Sequence, residues 1–307
     1  MAPAQAPRVP AQRPEVASAL ALDAAKKAAR IARKRAQIRL GFISRSTFDS
    51  RAPLPSLARS LRGGGRGGQV RLKLLLTYLW MQTKDHGVAL AYPAQVWARL
   101  LDLDQPETAG ARRINEAQTW LEEHRFITTQ ARPGHANKVT VLNETGNGEP
   151  YIAPGAAAKA LSNDPEKAKP HYYAQIPATL WTNGYIQLMT GPGLAMYLIL
   201  LDQNALTGTA PQPVWISPSA FKAHYGLSQD TRAAGIKDLT ELGLVTTGRQ
   251  SINPDDFDLE RIRNVYTLKP DQLDAPARRL PQPVRSSRDP IFDLVDPTPR
   301  PARSKTT

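Results

Sequence analysis

The sequence predicts a mainly α-helical chain with small β-hairpins, an α+β class, built as two consecutive copies of one unit. Three observations carry that expectation. Apolar residues recur at helical spacing in several separate stretches, and short runs of β-branched residues flank turn sequences after two of them. The order of these elements is the same in both halves, and self-similarity on this scale marks a repeated structural unit. The expected division is an arm over 1–69, a first domain over 70–145, a linker over 146–173, a second domain over 174–270 and a tail over 271–307.

In the first unit Leu72, Leu75, Leu76, Leu79 and Trp80 define one helix face, predicting a helix over 70–84. A short strand is expected at 88–91. Pro93 then opens a helix over 94–101, in the first turn where proline is tolerated. A polar turn through Asp104 and Pro106 leads to a longer helix, 107–124. Strands at 126–129 and 139–142 follow, with a turn at Arg132-Pro133-Gly134 between them.

The second unit repeats the order with a helix at 193–205 and a strand at 214–216. Ser217 caps and Pro218 opens a helix ending at Tyr225, and Ser228 caps the next, 229–242. Strands at 244–247 and 265–268 close the unit around a long hairpin loop, 248–263. The copies align residue by residue at two places. Val96 and Phe221 stand three positions after Pro93 and Pro218, and Leu100 and Tyr225 stand seven after. The run Leu121-Glu122-Glu123-His124-Arg125-Phe126-Ile127-Thr128-Thr129 parallels Leu239-Thr240-Glu241-Leu242-Gly243-Leu244-Val245-Thr246-Thr247.

Tyr225-Gly226-Leu227-Ser228, then Thr231, Leu239, Leu242, Gly243, Leu244 and Val245, resemble the winged helix-turn-helix of bacterial regulators. The first half resembles the same domain more weakly, because His124-Arg125 stands where Leu-Gly is usual. The tandem is similar to plasmid replication initiators, which carry two winged helices. The resemblance implies two tandem winged helix-turn-helix domains with disordered basic tails, and double-stranded DNA as partner. The Ala, Arg and Pro content suits a GC-rich bacterial or plasmid genome.

In such a unit the third helix enters the major groove and the hairpin forms a wing. Ile114, Ala117 and Leu121 are the expected inward face in the first copy, and Ile236, Leu239 and Leu242 in the second. The opposite faces supply the candidate DNA contacts. These are Arg112, Arg113, Asn115, Gln118 and Thr119, with Arg132, His135, Asn137 and Lys138 on the wing. In the second copy they are Gln229, Thr231, Arg232 and Lys237. Arginine pairs bidentately with guanine, and asparagine or glutamine with adenine. The second wing carries Asp255, Asp256, Asp258 and Glu260, which repel phosphate, so the first domain is expected to be the stronger reader. That leaves the second weak DNA binding, homodimerisation or contact with another protein.

The net charge of +13 is uneven, with fourteen basic and three acidic side chains within 1–69. An Ala-rich basic stretch, 17–40, is expected to become helical on a polyanion and to add salt-sensitive phosphate affinity. A solvated tail is the plainer alternative. Gly63 to Gly68 reads as a flexible hinge, since no Gly-Lys-Ser/Thr follows to make a phosphate loop.

No enzyme signature is present. Cysteine is absent, which removes thiolate chemistry, and the five histidines show no metal-ligand spacing. The Asp255 cluster lacks the spacing of a calcium loop. The five tryptophans, at 80, 97, 120, 181 and 215, read as core. No cofactor, metal, membrane or small-molecule substrate is expected. The expected role is non-enzymatic, sequence-specific DNA binding in replication initiation or transcription regulation, in the cytoplasm and on the nucleoid. The alternative is a protein-interaction module of a replication or partition complex, with DNA affinity from the basic arm.

Overall fold

The computed structural model describes residues 13–45, 51–63, 65–82, 88–205, 211–251 and 262–280. The elements, in chain order, begin with α1 (Ala19–Ala29), β1 (Arg35–Arg39), α2 (Leu40–Ile43) and α3 (Ser56–Leu61). The first repeat follows: α4 (Gly65–Met81), α5 (Ala94–Leu100), α6 (Ala109–Glu123), β2 (Ile127–Gln130) and β3 (Lys138–Val141). Between the repeats lie α7 (Pro154–Ala160), α8 (Pro165–Ala168), a 3-10 turn (Lys169–His171), β4 (Tyr173–Pro177), α9 (Thr179–Thr182) and α10 (Tyr185–Leu188). The second repeat is α11 (Gly191–Ala205), α12 (Pro218–Tyr225), α13 (Gln229–Glu241), β5 (Val245–Ser251) and β6 (Ile262–Leu268), closed by a 3-10 turn (Pro270–Asp274).

The described chain is thus mixed α+β, with helices and three antiparallel two-stranded sheets, β1–β4, β2–β3 and β5–β6. Register follows the apolar alternation, with Ile127 opposite Val141 and Val245 opposite Leu268. The strands expected at 88–91 and 214–216 reduce to single antiparallel bridges, Leu90 with Val139 and Val214 with Tyr266. They occupy the same place in the two repeats.

Four expectations are corrected by the packing. The arm is folded wherever the chain is described. Ala21, Ala25 and Ala28 line one buried face of α1, whose small side chains let it lie close on α5 and α9. Ala36 and Ile38 point inward from β1, which pairs with β4 far along the chain. Phe42, Ile43, Leu57 and Ala58 are buried as well. The hinge is the second correction: Gly65 to Gly68 form the first turn of α4. A Cβ on Gly68 would stand 3.0 Å from the Leu61 carbonyl, so the glycine serves close approach to the end of α3.

The linker is the third, since it forms α7, α8 and a 3-10 turn and leads into β4. The tail is the fourth, because Leu273, Ala277 and Arg279 are buried. Residues 281–307 lie outside the description, as do 1–12 and the acidic loop 252–261.

The core is continuous through both repeats. α4 packs against α11, the Trp80 and Trp181 rings stack at 4.6 Å, and the Trp181 indole donates to Thr77 Oγ1 at 3.0 Å. An apolar face on each first helix, covered by the other, joins what the sequence divides into two domains.

Two buried ionic clusters tie the intervening segments down. The Arg39 guanidinium donates to Glu144 Oε2 at 2.6 Å and to the Ile152 carbonyl at 2.7 Å, and both charged residues are almost wholly buried. Burial pushes the Glu144 carboxyl up, while Arg39 opposes the shift. On the other side, Asp238 accepts from the Thr190 backbone amide at 2.7 Å and from Arg279 at 2.8 Å. Arg279 also reaches Glu241 at 2.6 Å.

Candidate nucleic-acid interface

The junction between α12 and α13 explains the Gly-Leu-Ser phrase. Gly226 ends α12 at φ 66°, and its amide donates to the Lys222 carbonyl. Left-handed backbone there favours glycine, and a Cβ would also collide with Leu54. Leu227 turns into the core, and Ser228 Oγ accepts from the Thr231 amide at 3.1 Å to cap α13. Gly235 lets α13 lie close on α11, where a Cβ would meet Met196 and the Pro192 carbonyl. Gly243, at φ 71°, then turns the chain into the hairpin.

The first repeat builds the same corner with other residues. Asp102 and Gln105 adopt left-handed backbone, at φ 55° and 47°. Gly110 follows, where a Cβ would stand 3.0 Å from the Asp104 carbonyl. Arg99 and Glu107 form an ion pair across the turn. At the exit of α6 Arg125 sits at φ 61°, where the second copy has glycine.

The inward faces are as the apolar spacing requires. Ile114, Ala117, Leu121, Leu239 and Leu242 are buried, and Ile236 is half-buried against the core. Of the candidate contacts on α6, Arg112, Asn115 and Thr119 are exposed. Arg112 lies 3.5 Å from Glu116 one turn on, with both side chains largely in solvent. Arg113 is half-buried. Gln118 departs from the expected reading face: it is buried and its amide donates to the Tyr78 hydroxyl at 2.7 Å. Its place beside Ala117 and one turn after Ile114 leans it toward α4, so it holds the helix rather than facing outward.

On the first hairpin His135, Asn137 and Lys138 are exposed. Arg132 is half-buried and grips the loop from within, donating through Nε and Nη2 to the Ala136 carbonyl at 3.1 and 2.7 Å. In the second repeat Gln229 is exposed and donates to the Pro218 carbonyl at 3.1 Å. Thr231 is half-buried beside Ser228. Arg232 lies over Phe221 and Tyr266, at 5.4 and 5.6 Å from the ring centroids. Lys237 is exposed and 4.0 Å from Glu241. The structure therefore gathers Arg112, Asn115 and Thr119 on one exposed helix face. In the second repeat Gln229 and Arg232 are engaged with their own fold, as Gln118 and Arg132 are in the first.

Trp215 is the residue that sequence reading misplaced. It is 42% exposed, with the Arg263 guanidinium 4.9 Å from its ring. Strand alternation carried the signal: Val214 and Ile216 pack on the core, so the residue between them faces out. An exposed indole beside an arginine adds a stacking and cationic surface to the second hairpin.

Among the described residues no group of three or more His, Asp or Glu is placed to hold a metal ion. No helix among them is long and apolar enough to cross a membrane. Comparison of the chain with known protein families, curated proteins and solved structures finds no match to it.

Proposed function

We propose that the chain is a non-enzymatic, sequence-specific binder of double-stranded DNA that uses two tandem winged helix-turn-helix units, acting in replication initiation or transcription regulation in the cytoplasm. One observation carries the reading. Each repeat runs helix, bridging strand, helix, helix and hairpin, with the bridge joined to the second hairpin strand at Leu90–Val139 and at Val214–Tyr266. That order presents the third helix, α6 or α13, as the element that fits a major groove. The exposed polar face of α6 has the chemistry for base edges, with Arg112 suited to guanine and Asn115 to adenine. Lys138 and His135 on the first hairpin suit phosphate.

A narrower role for the second repeat rests on one observation of its own. The Arg232 guanidinium is held over Phe221 and Tyr266, so α13 turns one of its two candidate cations onto its own repeat. This favours partner contact or weak DNA binding for that repeat.

The test is selection of bound duplexes from a random pool with the full chain, followed by footprinting across the source genome. Enrichment of one motif supports the reading, and a repeat array at one origin assigns it to initiation rather than promoters. Uniform recovery of all sequences at physiological salt overturns it.

A further inference from the structure

α1 and α5 pack together without closing on each other fully, and a groove of about 310 Å³ runs between them. Leu20, Ala24 and Ile31 line it from α1 and the turn after it, and Tyr92, Val96 and Leu100 from α5 and the stretch leading into it. Three of these large side chains remain in water, with Leu20 53%, Ile31 51% and Tyr92 37% exposed. Large apolar groups gathered in one groove mark a place where something binds. Asp23, Lys27 and Arg99 are the charged residues along it. Lys27 pairs with Asp23 and Arg99 with Glu107, so each of the three has an ionic partner and apolar contact selects the occupant.

The course of the chain says what that occupant is. The described residues end at Leu280, and the Arg279 amide donates to the Glu15 carbonyl at 2.8 Å, just ahead of α1. Val16 and Leu280, which flank that hydrogen bond, are exposed apolar residues themselves. The chain therefore leaves the described fold beside Glu15, five residues before Leu20. Beyond it, 281–307 is mostly Pro, Arg, Ser and Thr, interrupted by Ile291, Phe292, Leu294 and Val295, four large apolar residues within five positions. Residues 281–290 have a reach of about 33 Å, and Leu20 to Ile31 covers about 16 Å at the helical rise. The whole groove is within that reach. Residues 1–12, which precede Arg13 at the same end, hold only Met1 and Val9 as large apolar side chains.

We propose that residues 291–295 seat in the groove between α1 and α5 of the same chain, tethered by 281–290. Their apolar side chains cover Leu20, Ile31 and Tyr92. A short tether holds its segment at an effective concentration in the millimolar range, so an apolar contact too weak to hold a dilute free peptide suffices. Docking also covers a surface that would otherwise draw a second copy or another protein. The inference is independent of DNA binding.

The test compares the parent with the full chain carrying Phe292→Ser and Leu294→Ser, which releases the segment. A fluorescein-labelled peptide of residues 288–297 is titrated into each and its anisotropy read. The released chain is expected to saturate with a Kd below about 1 mM, and the parent to bind about twofold or more weakly, because its own segment competes at millimolar effective concentration. Leu20→Asp in the released chain is expected to weaken the peptide by about tenfold or more, the effect of losing one buried leucine. Equal binding to parent and released chain leaves the groove open in the parent and assigns it to a segment of another protein. Absence of saturation by about 1 mM, or an unchanged isotherm in Leu20→Asp, removes the peptide from this groove. Each of these results overturns the proposal. The parent-to-released comparison alters only residues outside the described fold, so it decides the matter if Leu20→Asp does not fold. Sedimentation is the last arm: a parent dimer that Phe292→Ser and Leu294→Ser converts to a monomer places the segment on a second copy and overturns docking within one chain.

Discussion

At the exit of the third helix the first repeat places Arg125 at φ 61°, and the second places Gly243 at φ 71°. At the entrance the contrast is larger. The second repeat crosses from α12 to α13 through Gly226, Leu227 and Ser228, while the first uses residues 101–108 for the same step. A glycine in left-handed backbone and a serine cap make the tight corner. Without them the chain needs more residues, two of them, Asp102 and Gln105, in left-handed backbone. The longer turn is not idle length, because it forms a wall of a cleft between the repeats. Two copies of one architecture therefore differ in how many residues they spend on the corner between the second and third helices.

The comparison breaks first if the repeats are independent domains. A continuous core and buried ionic ties predict a single cooperative transition in urea. Glu144→Ala would leave Arg39 buried without its carboxylate, and Asp238→Ala would take from Arg279 one of its two carboxylates and from the Thr190 amide its acceptor. Each is expected to cost about 3–5 kcal/mol and to lower the one transition as a whole. Two separate transitions, with Glu144→Ala moving only one, would restore the view of two domains.

A smaller effect distinguishes the second repeat by pH. Asp202 in α11 accepts from the Tyr225 hydroxyl at 3.0 Å, and burial pushes its pKa up to about 6. The folded state thus holds this proton more tightly than the unfolded chain does. The stability it contributes is present in acid and is lost as pH rises through about 6. Asp202→Asn cannot ionise, so it is expected to match the parent near pH 4 and to exceed it by about 1–3 kcal/mol near pH 8. Urea midpoints at the two pH values check this.

The proposed DNA face gives the next contrast. Arg112→Ala and Arg113→Ala are each expected to cost about 1–3 kcal/mol on a selected site, in a base-specific manner, where either makes a bidentate guanine contact. Arg232→Ala and Lys237→Ala are expected to cost less, because Arg232 is held over two rings and the second hairpin loop carries Asp255, Asp256, Asp258 and Glu260. Titration of the four variants on one duplex ranks the repeats, and larger losses at Arg232 and Lys237 reverse the ranking. The smallest effect concerns the helix exits. Arg125→Gly is expected to gain up to about 1 kcal/mol by relieving left-handed strain, and Gly243→Arg to lose about 1–2 kcal/mol. Thermal denaturation measures both.

The local elements were legible in the sequence because each depends on neighbours. Spacing of Leu72, Leu75, Leu76 and Leu79 places α4, Pro93 and Pro218 place the second helices, and Ser228 starts α13. Residues 109–123 and 229–241 came out helical for the same reason. Charge and composition misled where burial was decided by a distant partner. The arm reads as a solvated polycation, yet Arg39 is neutralised by Glu144, 105 positions away. Gln118 reads as a helix-surface amide until the Tyr78 hydroxyl is beside it.

What the sequence by itself determined is the succession of helices, turns and hairpins and their repetition, since backbone propensity and apolar period act over a few residues. What only the tertiary structure decided is that α4 and α11 cover each other. The arm and the tail are thereby drawn into one core, and Lys73, Gln187 and Arg279 meet in a cleft. Those outcomes depend on which faces find each other through apolar burial and charge pairing, and no local pattern encodes the partner.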